Sequence, residues 1–503
     1  MRSHADASEL LEVVMRVCGE GLAENESDEE EQFFRQYLPI PRHLRGLDPQ
    51  VKLIIGDKGA GKSQLFRALK FEKGRKLLGD LAAAHRLRIP PLESTRWLVG
   101  FETAGTAFPA PDVVDRFARG RSVEDLRLLW LLLLVHVLLG SGELDQKSLP
   151  QALVNALTSS EWKLADATNL LADPDVLARL FAALDGLDHA LASSQRVLIV
   201  SYDELDRVSI NDWALIQKAL QGLVQLWATY SRRWRRISPK IFLRRDLYEH
   251  AAFAGPDIAK VAWNPAELLW SSGELYAMLF KRLINGDERL RDYLQKGRLA
   301  VEERELLGLV PTGREESEFA RPVKYMFGEH MGSDPKKGLT LRWIPNHLKD
   351  GHGRLFPRPL LRLVQEAAKI ERRDQRAASP RLLDHMDLRE ALDRVSEFRV
   401  DELEREEFPW LRPIKLAFRD RPFMVPAERR DVLRSLDIDW SKQQLRPPAT
   451  DPEGVLDYLV ELGIASIRSD AQQRIDIGDL YLKGLHLKRK GGVARPKRPA
   501  GGR

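Results

Sequence analysis

The feature that most narrows what this chain can fold into is the octapeptide GDKGAGKS, Gly56–Ser63, entered from the apolar run VKLII and left through SQLFRALK. It fits the spacing G-x-x-x-x-G-K-[ST], in which each residue type has a task. Glycines let the backbone turn so that consecutive N–H groups point inward at phosphate oxygens. A helix starting at the lysine adds the positive end of its dipole. Gly56, Asp57, Lys58, Gly59, Ala60, Gly61, Lys62, Ser63 and Gln64 are therefore the candidate nucleotide-binding residues. Lys62 neutralises β- and γ-phosphate charge, and the Ser63 hydroxyl is a Mg²⁺ ligand. At average residue frequencies the bare spacing arises by chance in roughly one chain of this length in fifty. The preceding strand and following helix make accident rarer; the bland alternative is a glycine-rich turn ahead of a helix.

A second motif lies some 140 residues on. RVLIVSYDELD (196–206) is an apolar run ending in carboxylates. Asp203 at the carboxyl end of a core strand is placed to hold Mg²⁺. Glu204, one residue further, suits a base that orients an attacking water. Asp206 and Arg207 are expected to make local salt bridges. The competing reading is an Asp–Glu helix cap after a core strand.

The rest of the chain places these motifs in a doubly wound parallel α/β sheet. Further strands are expected at RWLVGF (96–101), PKIFLRRD (239–246) and AELLW (266–270), with helices between them. At 503 residues the chain exceeds the roughly 250–300 that one core carries. The expected division is an N-terminal helix and acidic linker (1–34), an ATPase-like core (35–272), a helical lid and helical region (273–445), a winged-helix-like unit (446–487) and a basic tail (488–503). The apolar run 126–140 is too short to span a bilayer and holds Arg127 and His136, so it reads as a buried core helix. The N-terminus lacks the apolar core of a signal peptide. A single cysteine, Cys18, rules out an intrachain disulfide and a cysteine-rich zinc site, and suits a reducing cytoplasm. A net charge of +5 on 79 basic and 74 acidic residues does not by itself imply nucleic acid.

The C-terminal stretch VLDYLVELGIASIRSDAQQRIDIGD reads as a helix ended by Gly463 and two short strands, a winged-helix-like pattern whose helix is not visibly basic. The tail beyond it has no acidic residue. Lys488, Arg489, Lys490, Arg495, Lys497 and Arg498 are candidate phosphate contacts for DNA, against a solvated tail or a protein contact.

With both motifs placed, the chain resembles the AAA-type P-loop ATPases, in particular a bacterial branch with a helical lid and a C-terminal winged helix. The resemblance covers about residues 35–490. It implies ATP and Mg²⁺ as ligands, hydrolysis, a homo-oligomer, and work on DNA or a partner effector, with anti-phage defence as a setting. It also implies further roles. Arg244 or Arg245, at the end of KIFLRRD, falls where the family keeps a γ-phosphate sensor, although the usual residue there is uncharged; an ion pair with Asp246 is the alternative. Arg233, among Arg232, Arg235 and Arg236, falls where the family keeps an arginine finger, against a basic helix end serving its own dipole. Arg358 in FPRPLL matches a lid sensor, with the KRL at 281–283 as a weaker candidate. Glu102 or Thr103 would hold Glu204 inactive. No LSGGQ-like signature and no guanine-specific motif stands out, which disfavours ABC-type and GTP-specific readings. A nucleotide-gated binding module with little turnover and a DNA-loading factor resembling origin-binding ATPases are the alternatives.

Overall fold

The structure, a computed structural model, describes residues 4–19, 30–87, 94–103, 107–159, 161–209, 212–250 and 264–490. Most of the acidic run and the tail residues Arg495, Lys497 and Arg498 lie outside them. The chain forms two compact units, Pro39–Leu269 and Met1–Leu38 together with Trp270–Arg503. The N-terminal stretch thus groups with the C-terminal half of the chain. Its helix His4–Gly19 packs on the helix Pro357–Asp374.

The unit Pro39–Leu269 is an α/β P-loop core. Its five strands are β1 Leu53–Gly56, β2 Thr95–Phe101, β3 Val197–Tyr202, β4 Ile237–Arg244 and β5 Ala266–Glu267. They are parallel and lie in the order β2-β3-β4-β1-β5. β1 and β4 are buried along their whole length, which explains why they read as continuous apolar runs rather than alternating ones. The 126–140 run is the buried part of helix Val123–Gly140, which opens with a capping box between Ser122 and Asp125. Leu129, Trp130, Leu132 and Leu134 on it are buried, each contributing about 1.5–3 kcal/mol of burial for a Leu-sized side chain. This helix packs on Trp213–Tyr230 at close range. Trp130 Nε1 donates to Ala219 O at 2.7 Å. A side chain at Gly222 would put its Cβ 2.8 Å from the Arg127 nitrogen, so the crossing requires glycine.

Register aligns the carboxyl ends of the strands. Gly56 pairs with Arg244, and Tyr202 pairs with both Phe101 and Ile241. The Asp203 N–H donates to Phe101 O at 3.1 Å, so the acidic turn leaves the sheet beside the end of β2. In an open α/β sheet this edge is where ligands bind.

The other unit is mostly helical, but the region after Ser272 also holds an antiparallel hairpin, Val301–Arg304 with Gly308–Pro311. Its short, half-exposed strands carry too little apolar pattern to stand out in the sequence. Near the C-terminus, helix Leu411–Asp420, strand Met424–Val425, helices Arg429–Leu436 and Pro452–Glu461 and the hairpin Ala465–Ile467/Ile475–Ile477 follow one another along the chain. Ala427 bridges to Ile475, so this arrangement draws in residues well before 446. Pro447, Pro448 and Pro452 lie within it: Pro452 sits at the first turn of a helix capped by Asp451, where a missing N–H costs nothing.

Candidate functional site

The phosphate loop leaves β1 at Gly56 and ends at Gly61, which precedes helix Lys62–Lys70. Gly59 and Gly61 adopt φ of 83° and 98°, a region that other residues enter at a cost. No side chain caps the helix at Gly61, so its first N–H groups are presented by the backbone alone. Lys62 Nζ curls back over the loop and donates to Gly56 O at 2.9 Å and Asp57 O at 3.1 Å. Burial lowers the pKa of this ammonium; Arg244 acts in the same direction, while Asp203, Asp206 and Asp246 oppose both.

Asp203 is 4% exposed at the end of β3. Burial pushes its carboxyl pKa up to about 6, against the opposing effects of the Glu204 N–H, the Lys62 ammonium and the Ser63 hydroxyl. The two residues expected to hold Mg²⁺ are therefore near enough for one to act on the charge of the other. A hydroxyl and one carboxylate are hard oxygen ligands of the kind Mg²⁺ takes when phosphates and water complete its shell. Among the described residues there is no group of three His, Cys, Asp or Glu side chains forming a metal cage.

Glu204 sits at φ 54°, ψ 30°, left-handed for a non-glycine residue, a conformation costing about 1–3 kcal/mol. Its Oε2 accepts from the Thr103 N–H at 2.8 Å and from the Thr103 hydroxyl. Glu102 faces elsewhere, taking Lys70 Nζ at 2.7 Å. Of the two residues proposed to restrain Glu204, Thr103 is the one in contact. Arg207 lies 3.7 Å from Glu204. Asp206 does not pair locally: its Oδ2 accepts from Arg244 Nη1 at 3.2 Å, 38 residues along the chain.

Arg244 is buried, and its Nε and Nη2 donate to Asp246 at 3.1 and 2.6 Å. Burial raises the Asp246 carboxyl pKa, but Arg244 reverses this and leaves it below the usual value. Arg245 points to the other side of β1, contacting Asp57 of the phosphate loop at 3.3 Å and Glu267 at 2.7 Å. Sequence reading named Arg244, Arg245 and Asp246 but missed that Asp206 and Asp57 complete the network; nothing in the local pattern gives those partners.

The remaining candidates make other contacts. Arg233 makes two bonds to Asp185 of its own chain, at 2.7 and 2.5 Å, and lies over the Phe181 ring. Arg232 and Arg235 are exposed. Arg358 belongs to the other unit, where it pairs with Glu402 at 2.5 Å. Lys281 in that unit is buried on three carbonyls: Phe34 at 3.1 Å, Arg35 at 2.6 Å and Leu307 at 2.6 Å. Arg489 is taken up by Asp479 and Asp476 at 2.7 and 2.9 Å.

No family model matches the chain, and no curated protein matches it. Among solved structures it is similar to the Aeropyrum pernix ORC2 protein in ADPNP–ADP complexes, at 16% identity over 91% of this chain and 92% of that one, with a TM-score of 0.37. It is similar to the Aeropyrum pernix ORC1 protein in complex with DNA at 12% identity, 94% and 96% coverage and a TM-score of 0.33. A Walker-type ATPase of Pyrococcus abyssi matches at 12% identity, 92% and 97% coverage and a TM-score of 0.34.

Proposed function

We propose that this chain is a Mg²⁺-dependent ATP-binding and ATP-hydrolysing switch of the AAA type. The observation that carries the reading is the glycine-built nest over which Lys62 closes, with Ser63 next to it, Asp203 buried at the end of β3 and Glu204 one residue further on. On this reading the loop N–H groups grip the β-phosphate. Lys62 leaves the Gly56 and Asp57 carbonyls for the β- and γ-phosphates. Ser63 and Asp203 hold Mg²⁺, which would neutralise charge building up between those phosphates. Glu204 orients the attacking water once it leaves Thr103, and Arg244 faces the γ-phosphate.

DNA is the proposed partner of the basic tail through Lys488 and Lys490 together with Arg495, Lys497 and Arg498, with Arg489 committed to its carboxylates. The helix Pro452–Glu461 is a poor groove reader, because Glu453, Asp457 and Glu461 fall on one face and repel phosphate. Contact with a partner effector in bacterial defence and assembly into a homo-oligomer belong to the same proposal. Finding a nuclease or membrane-effector gene next to this one would support the defence setting, and its absence would count against it. A monomeric mass with and without ATP removes the oligomer and the Arg233 finger. Among the described residues no helix is long and apolar enough to cross a membrane.

The Thr103–Glu204 contact favours a second reading, a nucleotide-gated binding module with little turnover. Phosphate release measured with and without DNA separates the two. The switch reading expects Mg²⁺-dependent release that Glu204→Gln abolishes; the gated module gives a wild type that releases no more than Glu204→Gln.

A further inference from the structure

The turn at 204–209, which carries Glu204 off the sheet, is held at three points. Thr103 holds Glu204 itself. Arg244 holds Asp206 at 3.2 Å. The Ser209 hydroxyl donates to the buried Asp115, which Arg119 Nε grips from the same helix at 2.7 Å. Arg244 is the anchor that also belongs to the phosphate side, since its register partner is Gly56, where the phosphate loop begins. Its guanidinium is held asymmetrically. The fork of Nε and Nη2 is filled by Asp246, a side chain 15% exposed, which fixes the guanidinium plane. Nη1, outside that fork, makes a bond of 3.2 Å to a carboxylate 33% exposed, longer than either bond to Asp246. One edge of the group is therefore fixed and the other is open to exchange.

We propose that Asp206 is a positioning residue for the hydrolytic step: through Arg244 it sets the aim of Glu204, and a γ-phosphate arriving at the loop competes with it for Nη1. The inference rests on the hydrolysis reading above. Asp206 touches neither nucleotide nor water in this scheme. It transmits the loss of its Arg244 bond along two residues of a turn whose first member is already in a strained conformation. An anion in the loop then loosens the turn, and Glu204 leaves Thr103.

The test is steady-state phosphate release by the full chain against Mg²⁺-ATP concentration. The proteins compared are wild type, Asp206→Asn, Asp206→Glu, Thr103→Val and Thr103→Val/Asp206→Asn. Asp206→Asn should raise kcat threefold or more with KM for ATP within twofold, since the turn is already loosened, and Asp206→Glu should return the rate to within twofold of wild type. Thr103 and Asp206 act on one carboxylate, so the double variant should depart from the product of the single effects by threefold or more. An unchanged or lowered kcat, a change in KM alone, or effects that multiply would overturn the assignment. Should the Asn variant fail to fold, Asp206→Ser is read by the same criteria. A wild type that releases no phosphate removes the hydrolysis reading and this inference with it. A wild type that turns over while Asp206→Asn matches it removes only the positioning role.

Discussion

Two regions of this molecule aim a lysine ammonium at backbone carbonyls, and they differ in what surrounds it. In the phosphate loop, Lys62 rests on the carbonyls of Gly56 and Asp57, in a glycine-rich turn, within the field of Asp203, Asp206 and Asp246. In the helical unit, Lys281 rests on the carbonyls of Phe34, Arg35 and Leu307, fully buried, with Arg282 adding like charge. Lys281 ties three segments of backbone together, and the charge acting on it is that of another cation, Arg282. Lys62 has carboxylates to keep it charged, a loop able to release it, and a hydroxyl–carboxylate pair within reach. Burial of a cation is therefore not what marks a site; exchangeable partners and compensating charge are.

The comparison can be broken in order of expected effect. Glu204→Gln should lower turnover by about 10²–10⁴, the usual contribution of a positioned base, while ATP remains bound; single-turnover phosphate release checks this. Retained turnover would take the acidic turn out of the chemistry. Lys281→Met should cost about 2 kcal/mol of unfolding free energy, since buried carbonyls lose a donor, and leave ATP affinity unchanged. Denaturant unfolding with a parallel nucleotide titration reads both; a loss of affinity would erase the contrast drawn here.

A third buried lysine sharpens the point through pH. Lys240 in β4 donates to the Asp48 and Val51 carbonyls, and burial lowers its pKa from 10.5 to about 7. Between those values the unfolded chain binds more protons at this group than the folded one. The cost of burying the ammonium is thus fully present below about pH 7 and is relieved as pH rises toward 10.5. Its contribution to stability should climb by up to ~1.4 kcal/mol per pH unit in that window. Lys240→Met should flatten the climb, and an unaltered slope in urea unfolding from pH 7 to 9 would exclude it. The smallest effect expected is that of Thr103→Val, which frees Glu204 from its hydroxyl contact and should raise basal phosphate release about fivefold, given ~1 kcal/mol for a hydrogen bond. A fall in basal release would mean that Thr103 aids the reaction rather than restraining it.

How far the sequence could be read follows the range over which each feature is encoded. Gly56–Ser63 and Asp203–Glu204 are contiguous patterns set on apolar strands, and they announce both the parallel sheet and the site. The arginines are different. Arg244 finds Asp206, Arg233 finds Asp185 and Arg358 finds Glu402, each partner dozens of residues away and chosen by tertiary packing. A local pattern shows such an arginine but not its carboxylate.

The most direct test of the central claim is equilibrium binding of a fluorescent ATP analogue, with Mg²⁺, to the wild-type chain and to Lys62→Ala. The account predicts saturable binding by the wild type and at least a hundredfold weaker binding by the variant, at unchanged thermal stability. No measurable binding by the wild type, or equal binding by both proteins, would contradict it.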